Sequence, residues 1–522
     1  MKNLIISLIL KYWDRTFMID LFKKYTYSDL AFEIVNLSTM LDILKIKQPH
    51  IILNADNSFK WIVVYLTAII KEIPLTILPK FEKIQISHFI NESNGNILFT
   101  DNIDNGPLIH NRSVIYQIYI NKNMFDLIYI RHGFVKQLEK KVDKWKNLSC
   151  ITDRSLTPKL FKKFKEQGIL VKPEMLFEMY SSGVNNSPRI SLIPQRTVLR
   201  AMKGMIRLFA KNKIRNKLIC IKADFSFFAS ITFLPILGVG GTILLNGNNF
   251  NIKATIADTQ WYEEMWSFNT EFMSESKRMW LERWQLTKWI NTIKLRNYFK
   301  YVFGDNMDTF IILNDQTHSC LRKNLERIGY KVFSTYGITK TAQLISIDKQ
   351  LIKGTEIRIE SNDPTKVGGK LYVSIPFSYI SKAWINTKDV ASIGKDSELI
   401  IHGRRKSRIK TKNGHTIYPE EIERIIKSHP LITQCIVFEK DDKIILGLHF
   451  NSFVLDMKQI SRAESINLAI QIKDELNDYL PKEMNIDSVI PFPKLLDTNV
   501  QGKIIRYFSN TPEMFGAIRP KP

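Results

Sequence analysis

Two short stretches bring together residue types suited to holding a phosphate anion. "EMYSSGVNNSPRI", residues 178–190, combines Ser-Ser-Gly with two asparagines, a Ser-Pro pair and an arginine. Glycine opens backbone angles closed to other residues, and Asn and Ser-Pro favour turns. Hydroxyls of Ser181, Ser182 and Ser187, free backbone N–H groups and the Arg189 guanidinium can face an anion there. A solvated turn is the other reading. "GRRKSRIKTK", residues 403–412, carries six positive side chains in ten positions. It is either a solvated face or a place where nucleotide phosphates are neutralised. Metal chemistry has less to stand on. The nine histidines include no HExxH, and Cys150, Cys220, Cys320 and Cys435 form no CxxC pair. They read as reduced core thiols, with no zinc site.

The chain has 522 residues, 44% hydrophobic, 11% aromatic and 24% charged, an ordinary globular balance with room for several domains. A net charge of +24 raises nucleic acid or an anionic membrane as a partner. The lysines are spread along the chain without a basic tail or a nucleic-acid motif, so no nucleic acid is expected. "MKNLIISLILKYWDRT" lacks a small-residue cleavage site and places Ile5, Leu8 and Ile9 at helical spacing, which predicts a first amphipathic helix. "FSFFASITFLPILGVGGTILL" (225–245) is uncharged and long enough to span a bilayer. Pro235 interrupts it, and Gly238, Gly240 and Gly241 break it again, so a buried helix, turn and strand are expected. The expectation is a cytoplasmic protein with no membrane span.

The elements that must position these groups alternate in the first half. "YSDLAFEIVNLSTMLDIL" (27–44) is helical in period, "HIILNAD" a strand, "FKWIVVYLTAIIKE" a helix and "IPLTIL" a strand. "FEKIQISHFINESN" as a helix and "NILFTD" as a strand follow. That alternation predicts an α/β fold of parallel sheets covered by helices. Near residue 403 the texture changes. "HTIYPEEIERIIKSHP" puts Pro419 in a first helical turn, with Glu420, Glu421 and Glu423 near its positive end and Ile422, Ile425 and Ile426 on one face. "TQCIVFEKDDKIILGLHF" reads as two strands joined by a charged turn, and 469–480 as a helix. The prediction is a large domain, 1–402, with a small β region, and a hinged smaller α+β domain, 403–522.

The order and spacing of several weak motifs resemble the adenylate-forming superfamily: acyl-CoA synthetases, the adenylation domains of nonribosomal peptide synthetases, and luciferases. The resemblance runs from "TYSDL" (26–30) to "QGKIIR" (501–506). The 178–190 stretch is similar to the family's phosphate loop, with Ser181, Ser182, Gly183 and Pro188 in place. Val184 and Asn185 replace two threonines, Asn186 a glycine, Arg189 the lysine and Ile190 the final glycine. "STYGITKTAQ" (334–343) resembles the YGxTE motif that packs on adenine; Tyr336, Gly337 and Thr339 match. The acidic residue that helps hold magnesium in relatives is here Lys340, which can contact phosphate but cannot ligate a metal.

"WINTKDVASIG" (384–394) resembles W-x-x-TGD. Asp389 aligns with the carboxylate that accepts from both ribose hydroxyls, and Lys388 replaces the glycine. "GRRKSRIK" (403–410) resembles the hinge motif, with Arg404 as the nucleotide-contacting arginine and Lys406–Ser407 at the pivot. Gly414 aligns with the glycine that shapes the thiol channel, and Lys503, between Gly502 and Arg506, with the lysine that bridges substrate carboxylate and α-phosphate. In amino-acid-activating relatives "FSFDAS" carries an aspartate for the substrate ammonium; in "FSFFAS" here that position is Phe228. An ammonium would be left unpaired, so a fatty or aryl acid is expected. The resemblance implies ATP and Mg2+ and an acceptor thiol from CoA or a phosphopantetheinyl acyl carrier protein. The alternative is a weakened relative that binds nucleotide, acyl ligand or a partner without efficient turnover.

Overall fold

The computed structural model describes residues 1–20, 23–79, 89–90, 92–93, 95–101, 116–120, 125–130, 157–166, 176–181, 189–213, 218–220, 225–245, 309–313, 329–361, 368–376, 384–411, 415–426, 431–450 and 461–496, with 322, 326, 455 and 504 as isolated positions. Sequence signals set several of its element boundaries. The helix Tyr27–Leu44 begins at a reciprocal cap: Asp29 N–H donates to Thr26 Oγ1 (3.0 Å), and Thr26 N–H donates to Asp29 Oδ2 (2.8 Å). This satisfies two amide groups that the first turn leaves open. The helix ends where Lys45 turns left-handed, at φ 48. Pro419 opens the helix Pro419–Ile426, where its missing N–H costs nothing.

The largest sheet has seven strands in the order Phe125–Ile130, Tyr116–Ile120, Ile97–Thr100, Ile51–Asn54, Leu75–Ile77, Leu176–Ser181 and Arg189–Pro194. Its five inner strands are parallel and the two outermost pairs antiparallel. The helix Phe59–Lys71 is buried continuously from Phe59 to Ile70, as a helix covered on all sides must be. Trp61 and Tyr65 pack there with Phe177, Phe225 and Phe233. A second sheet orders Leu218–Cys220, Thr242–Leu245, Thr16–Asp20 and Lys23–Thr26. Two more four-stranded sheets follow, one holding Lys331–Tyr336. The other is wholly antiparallel: Glu356–Glu360, Gly369–Ser374, Ile385–Ile393, Leu399–Arg404.

Beyond Arg404 lie a short hairpin (Ile409–Lys410 with Thr416–Ile417), the helix Pro419–Ile426, a three-stranded sheet and the helix Arg462–Tyr479. Their apolar faces form a separate core, which also takes in Tyr330 and Val332 from the preceding region. This is the expected α/β fold, with a smaller α+β unit at the C-terminal end.

Two details differ from the sequence reading. The 225–245 stretch is indeed helix, turn, helix and strand, and among the described residues no helix is long and apolar enough to cross a membrane. Pro235, however, is not the interruption. It sits in the first turn of the helix Phe233–Val239, and the chain breaks at 229–232 instead. Gly240 then ends the helix at φ +65, with the Tyr12 ring against the space a Cβ would need. Glu423 does not serve the helix end. It is buried, and its carboxylate accepts from Val437 N–H at 2.7 Å, tying the helix to the neighbouring strand.

Candidate functional site

Asp389 and Arg404 are direct partners on the antiparallel strands Ile385–Ile393 and Leu399–Arg404. Asp389 is 5% exposed. Its Oδ1 lies 3.0 Å from Arg404 Nε, and its Oδ2 accepts the Tyr336 hydroxyl at 2.5 Å. Arg404 Nη1 donates in turn to the Thr387 carbonyl (3.0 Å), and Asp389 N–H to Thr387 Oγ1 (3.1 Å). Burial, and then the Asp389 charge, push the Tyr336 hydroxyl well above the usual tyrosine range, so it remains a donor. Lys388 stands at φ 65, its carbonyl accepting from Arg405 N–H. The strand makes a left-handed step, the kind glycine takes most easily, at the position where the family motif has a glycine.

Tyr336 ends the strand Lys331–Tyr336, and a one-turn 3-10 helix, Thr339–Thr341, follows. Gly337 is required there, because a Cβ would run into the Gln343 carbonyl. Ala342 and Gln343 are left-handed (φ 52 and 63), folding the chain back so that Ile345 N–H reaches the Tyr336 carbonyl at 2.7 Å. Thr339 is buried and accepts from Gln343 Nε2 (3.3 Å). Lys340 is exposed. Ser230 Oγ donates to the Ala342 carbonyl at 2.8 Å, tying "FSFFAS" to this turn. Phe228 closes the short helix Phe225–Phe228, half-buried, with its ring centroid 6.2 Å from that of Phe227.

Of the residues expected to form a phosphate loop, Ser182, Gly183, Asn185 and Ser187 lie outside the described residues, as do Gly414 and Lys503. The loop's two ends are described: Ser181 and Arg189 are register partners, and their strands lie against the Thr339–Thr341 turn. Glu178, on the entering strand, accepts the Thr76 hydroxyl (2.6 Å), which is itself 2.8 Å from His50 Nε2. At the pivot, Lys406 is exposed and Ser407 buried, with Ser407 N–H donating to the Arg404 carbonyl (3.1 Å).

Tyr336, Asp389 and Arg404, drawn from three stretches of sequence, meet in one carboxylate-centred corner beside a glycine turn. No family model matches the chain. The 2-succinylbenzoate–CoA ligase of Bacillus cytotoxicus is 26% identical over 216 residues, 36% of this chain and 42% of that protein. Among solved structures, the O-succinylbenzoate coenzyme A synthetase of Bacillus subtilis, in complex with ATP and magnesium ion, superposes at TM-score 0.62 and 15% identity. That match covers 97% of this chain and 98% of the other. The chain shares the fold of these adenylate-forming enzymes. The A domain of carboxylic acid reductase from Segniliparus rugosus, in complex with AMP and a co-purified carboxylic acid, gives TM-score 0.69 at 14% identity, over 96% and 91% of the two chains. The chain spans less than half the length of the curated relatives it matches.

Against the superfamily pattern, one group fits poorly. Among the described residues no cluster of three or more His, Cys, Asp or Glu side chains stands ready for a metal ion, and the family's acidic position is the exposed Lys340. That position therefore offers no carboxylate to a metal ion. Sequence reading also missed Arg200, on the helix Gln195–Lys211. It is buried, and it donates to the Leu344 carbonyl (3.1 Å) and to Thr355 Oγ1, bracing the 339–345 turn from behind. Burial lowers its pKa to about 10. Its place among the buried Thr197, Val198 and Ala201 was the available signal.

Proposed function

We propose that the chain is an AMP-forming acyl-activating ligase. A carboxylic acid attacks the α-phosphorus of ATP, pyrophosphate leaves, and the acyl-adenylate passes its acyl group to a thiol of CoA or a carrier protein, releasing AMP. The observation that carries this reading is the Asp389–Tyr336–Arg404 corner, in which three residues that match separate family motifs meet around one buried carboxylate.

The attack brings two anions together, and the transition state is more anionic still, so cations at both ends lower its energy. We assign Lys503 to the attacking end. Ser181, Ser182, Gly183, Asn185, Ser187 and Arg189 hold the leaving end, with Lys340 as a direct phosphate contact. Phe228 leaves an α-ammonium without a partner, which favours a fatty or aryl acid. The small domain, from residue 403, turns about Lys406–Ser407 between the two half-reactions, and Gly414 then lines the thiol's path.

A second reading, a relative that binds nucleotide or acyl ligand without efficient turnover, is favoured by the exposed lysine where relatives place an acid. Exchange of labelled pyrophosphate into ATP, screened over fatty, aryl and amino acids, separates the two. Acid-dependent exchange with a fatty or aryl acid supports the ligase. ATP binding by calorimetry with no exchange for any acid supports the second reading.

A further inference from the structure

His402, on the strand Leu399–Arg404, is held from two sides. Its Nδ1 lies 2.6 Å from Glu421 Oε1 on the helix Pro419–Ile426, and its Nε2 lies 2.9 Å from Ser392 Oγ on the strand Ile385–Ile393. A carboxylate only accepts, so Nδ1 carries a proton, and in the neutral ring Nε2 accepts the serine hydroxyl. His402 is 9% exposed, with the Tyr418 ring 5.8 Å away. Gly368 leaves the ring room: a Cβ there would stand 2.9 Å from His402 Cδ2.

The same helix reaches the strand once more and the segment after it once. Ser407 Oγ donates to Glu420 Oε1, and Arg424 Nη2 reaches the Ile401 carbonyl at 3.4 Å. Tyr330 and Val332 add apolar contact with the core that holds Ile422 and Ile426. The contacts of Glu421, Arg424, Ile422 and Ile426 join residues on opposite sides of the 403–408 segment, and that of Glu420 reaches Ser407 within it. The order Ser–His–acid is that of a hydrolytic relay. Its acid, however, lies beyond the pivot, so each rotation would dismantle it, which suits a positioning role.

We propose that Glu421 on His402, oriented by Ser392, is the clasp that fixes the small domain in the orientation seen here and sets how the chain divides between its two half-reactions. The proposal rests on the hinge reading above. Glu421 and His402 are positioning residues, which act through the placement of the domain that carries Lys503. Losing a charge-assisted hydrogen bond of this kind shifts a two-state population about tenfold to a hundredfold.

The test attaches a fluorescent probe pair, through unnatural amino acids, at the exposed Lys11 and Asp442 of the full chain. Single-molecule transfer then reads the distance between the two domains. The wild type should show one dominant distance. Glu421→Ala and His402→Ala, made from opposite sides of the pivot, should each populate a second distance at least tenfold more. Glu421→Gln, which still accepts from Nδ1–H, should restore most of the first. In the half-reactions, the two Ala variants should speed one and slow the other, an opposite movement that damage to the fold would not produce. An unchanged distance distribution in both Ala variants, with both half-reactions falling together, overturns the clasp. If the wild type catalyses neither half-reaction the ligase reading fails, yet the distance distribution still decides the clasp.

Discussion

The corner we assign to the ribose and the end we assign to the phosphates are built on different terms. At the ribose corner Asp389 is buried and engaged on both oxygens, its partners Tyr336 and Arg404 come from two other strands, and all three residues match the family motifs. At the phosphate end the described groups are exposed or lie at strand ends: Lys340 faces solvent, and Ser181 and Arg189 close the mouth of a hairpin. A buried carboxylate tolerates little substitution, because removing one partner leaves a charge without compensation. An exposed cation can replace an exposed acid without disturbing the fold. On the proposed reading, the difference teaches where this chain has been free to change: at the exposed position assigned to phosphate charge, and not at the buried corner assigned to the nucleoside.

That contrast can be broken in several places. The largest effect is expected at Lys503. Lys503→Ala should slow adenylation by about a hundredfold to a thousandfold, as the loss of one charge contact to a transition state typically does. Consumption of a preformed acyl-adenylate should be nearly unaffected; equal losses in both steps would remove Lys503 from the attacking end. Asp389→Ala should weaken ATP binding by about 1–3 kcal/mol in calorimetry, through lost charge-assisted hydrogen bonds. Unchanged affinity would move the ribose elsewhere and end the comparison.

Stability against pH probes the strand that enters the phosphate loop. Burial holds His50 below its usual value of 6.5, partly offset by Glu178. With the folded-state value depressed, the unfolded chain takes up the proton first. Stability is therefore lost as pH falls from the ordinary histidine value towards the folded one. His50→Gln should flatten this slope, at most about 1.4 kcal/mol per pH unit for one proton. A slope in chemical denaturation identical to the wild type would show that His50 does not titrate there. The smallest effect is at Lys388, left-handed at φ 65. Lys388→Gly should stabilise by about 0.5–1 kcal/mol, strain relief being partly offset by the freer unfolded chain. A lower melting temperature would contradict the strain.

Much of this was legible in the sequence where the cause is local. Thr26 and Asp29 announce the start of a helix, Pro419 announces another, and the family glycine at 388 marks a left-handed step that the lysine still makes. The motif residues Tyr336, Asp389 and Arg404 were legible individually. Their mutual bonds were not, because the register between strands Ile385–Ile393 and Leu399–Arg404 contains a bulge that no spacing rule predicts. Arg200 and the His402–Glu421 pair were missed for a related reason. A polar side chain on an apolar stripe looks like an error until its distant partner is known. Pro235 was misread because a proline three residues into a helix and one that ends a helix look alike in a string of letters.

The most direct measurement is acid-dependent exchange of labelled pyrophosphate into ATP, followed across a magnesium titration for the wild type and for Lys340→Glu. An intact nucleoside grip with a rebuilt phosphate end predicts exchange by the wild type with a fatty or aryl acid. It also predicts a shallower magnesium dependence than in Lys340→Glu, where a carboxylate is restored. Absence of exchange by the wild type with every acid and at every magnesium concentration, alongside recovered exchange in Lys340→Glu, would contradict it and leave a chain that binds nucleotide without turning it over.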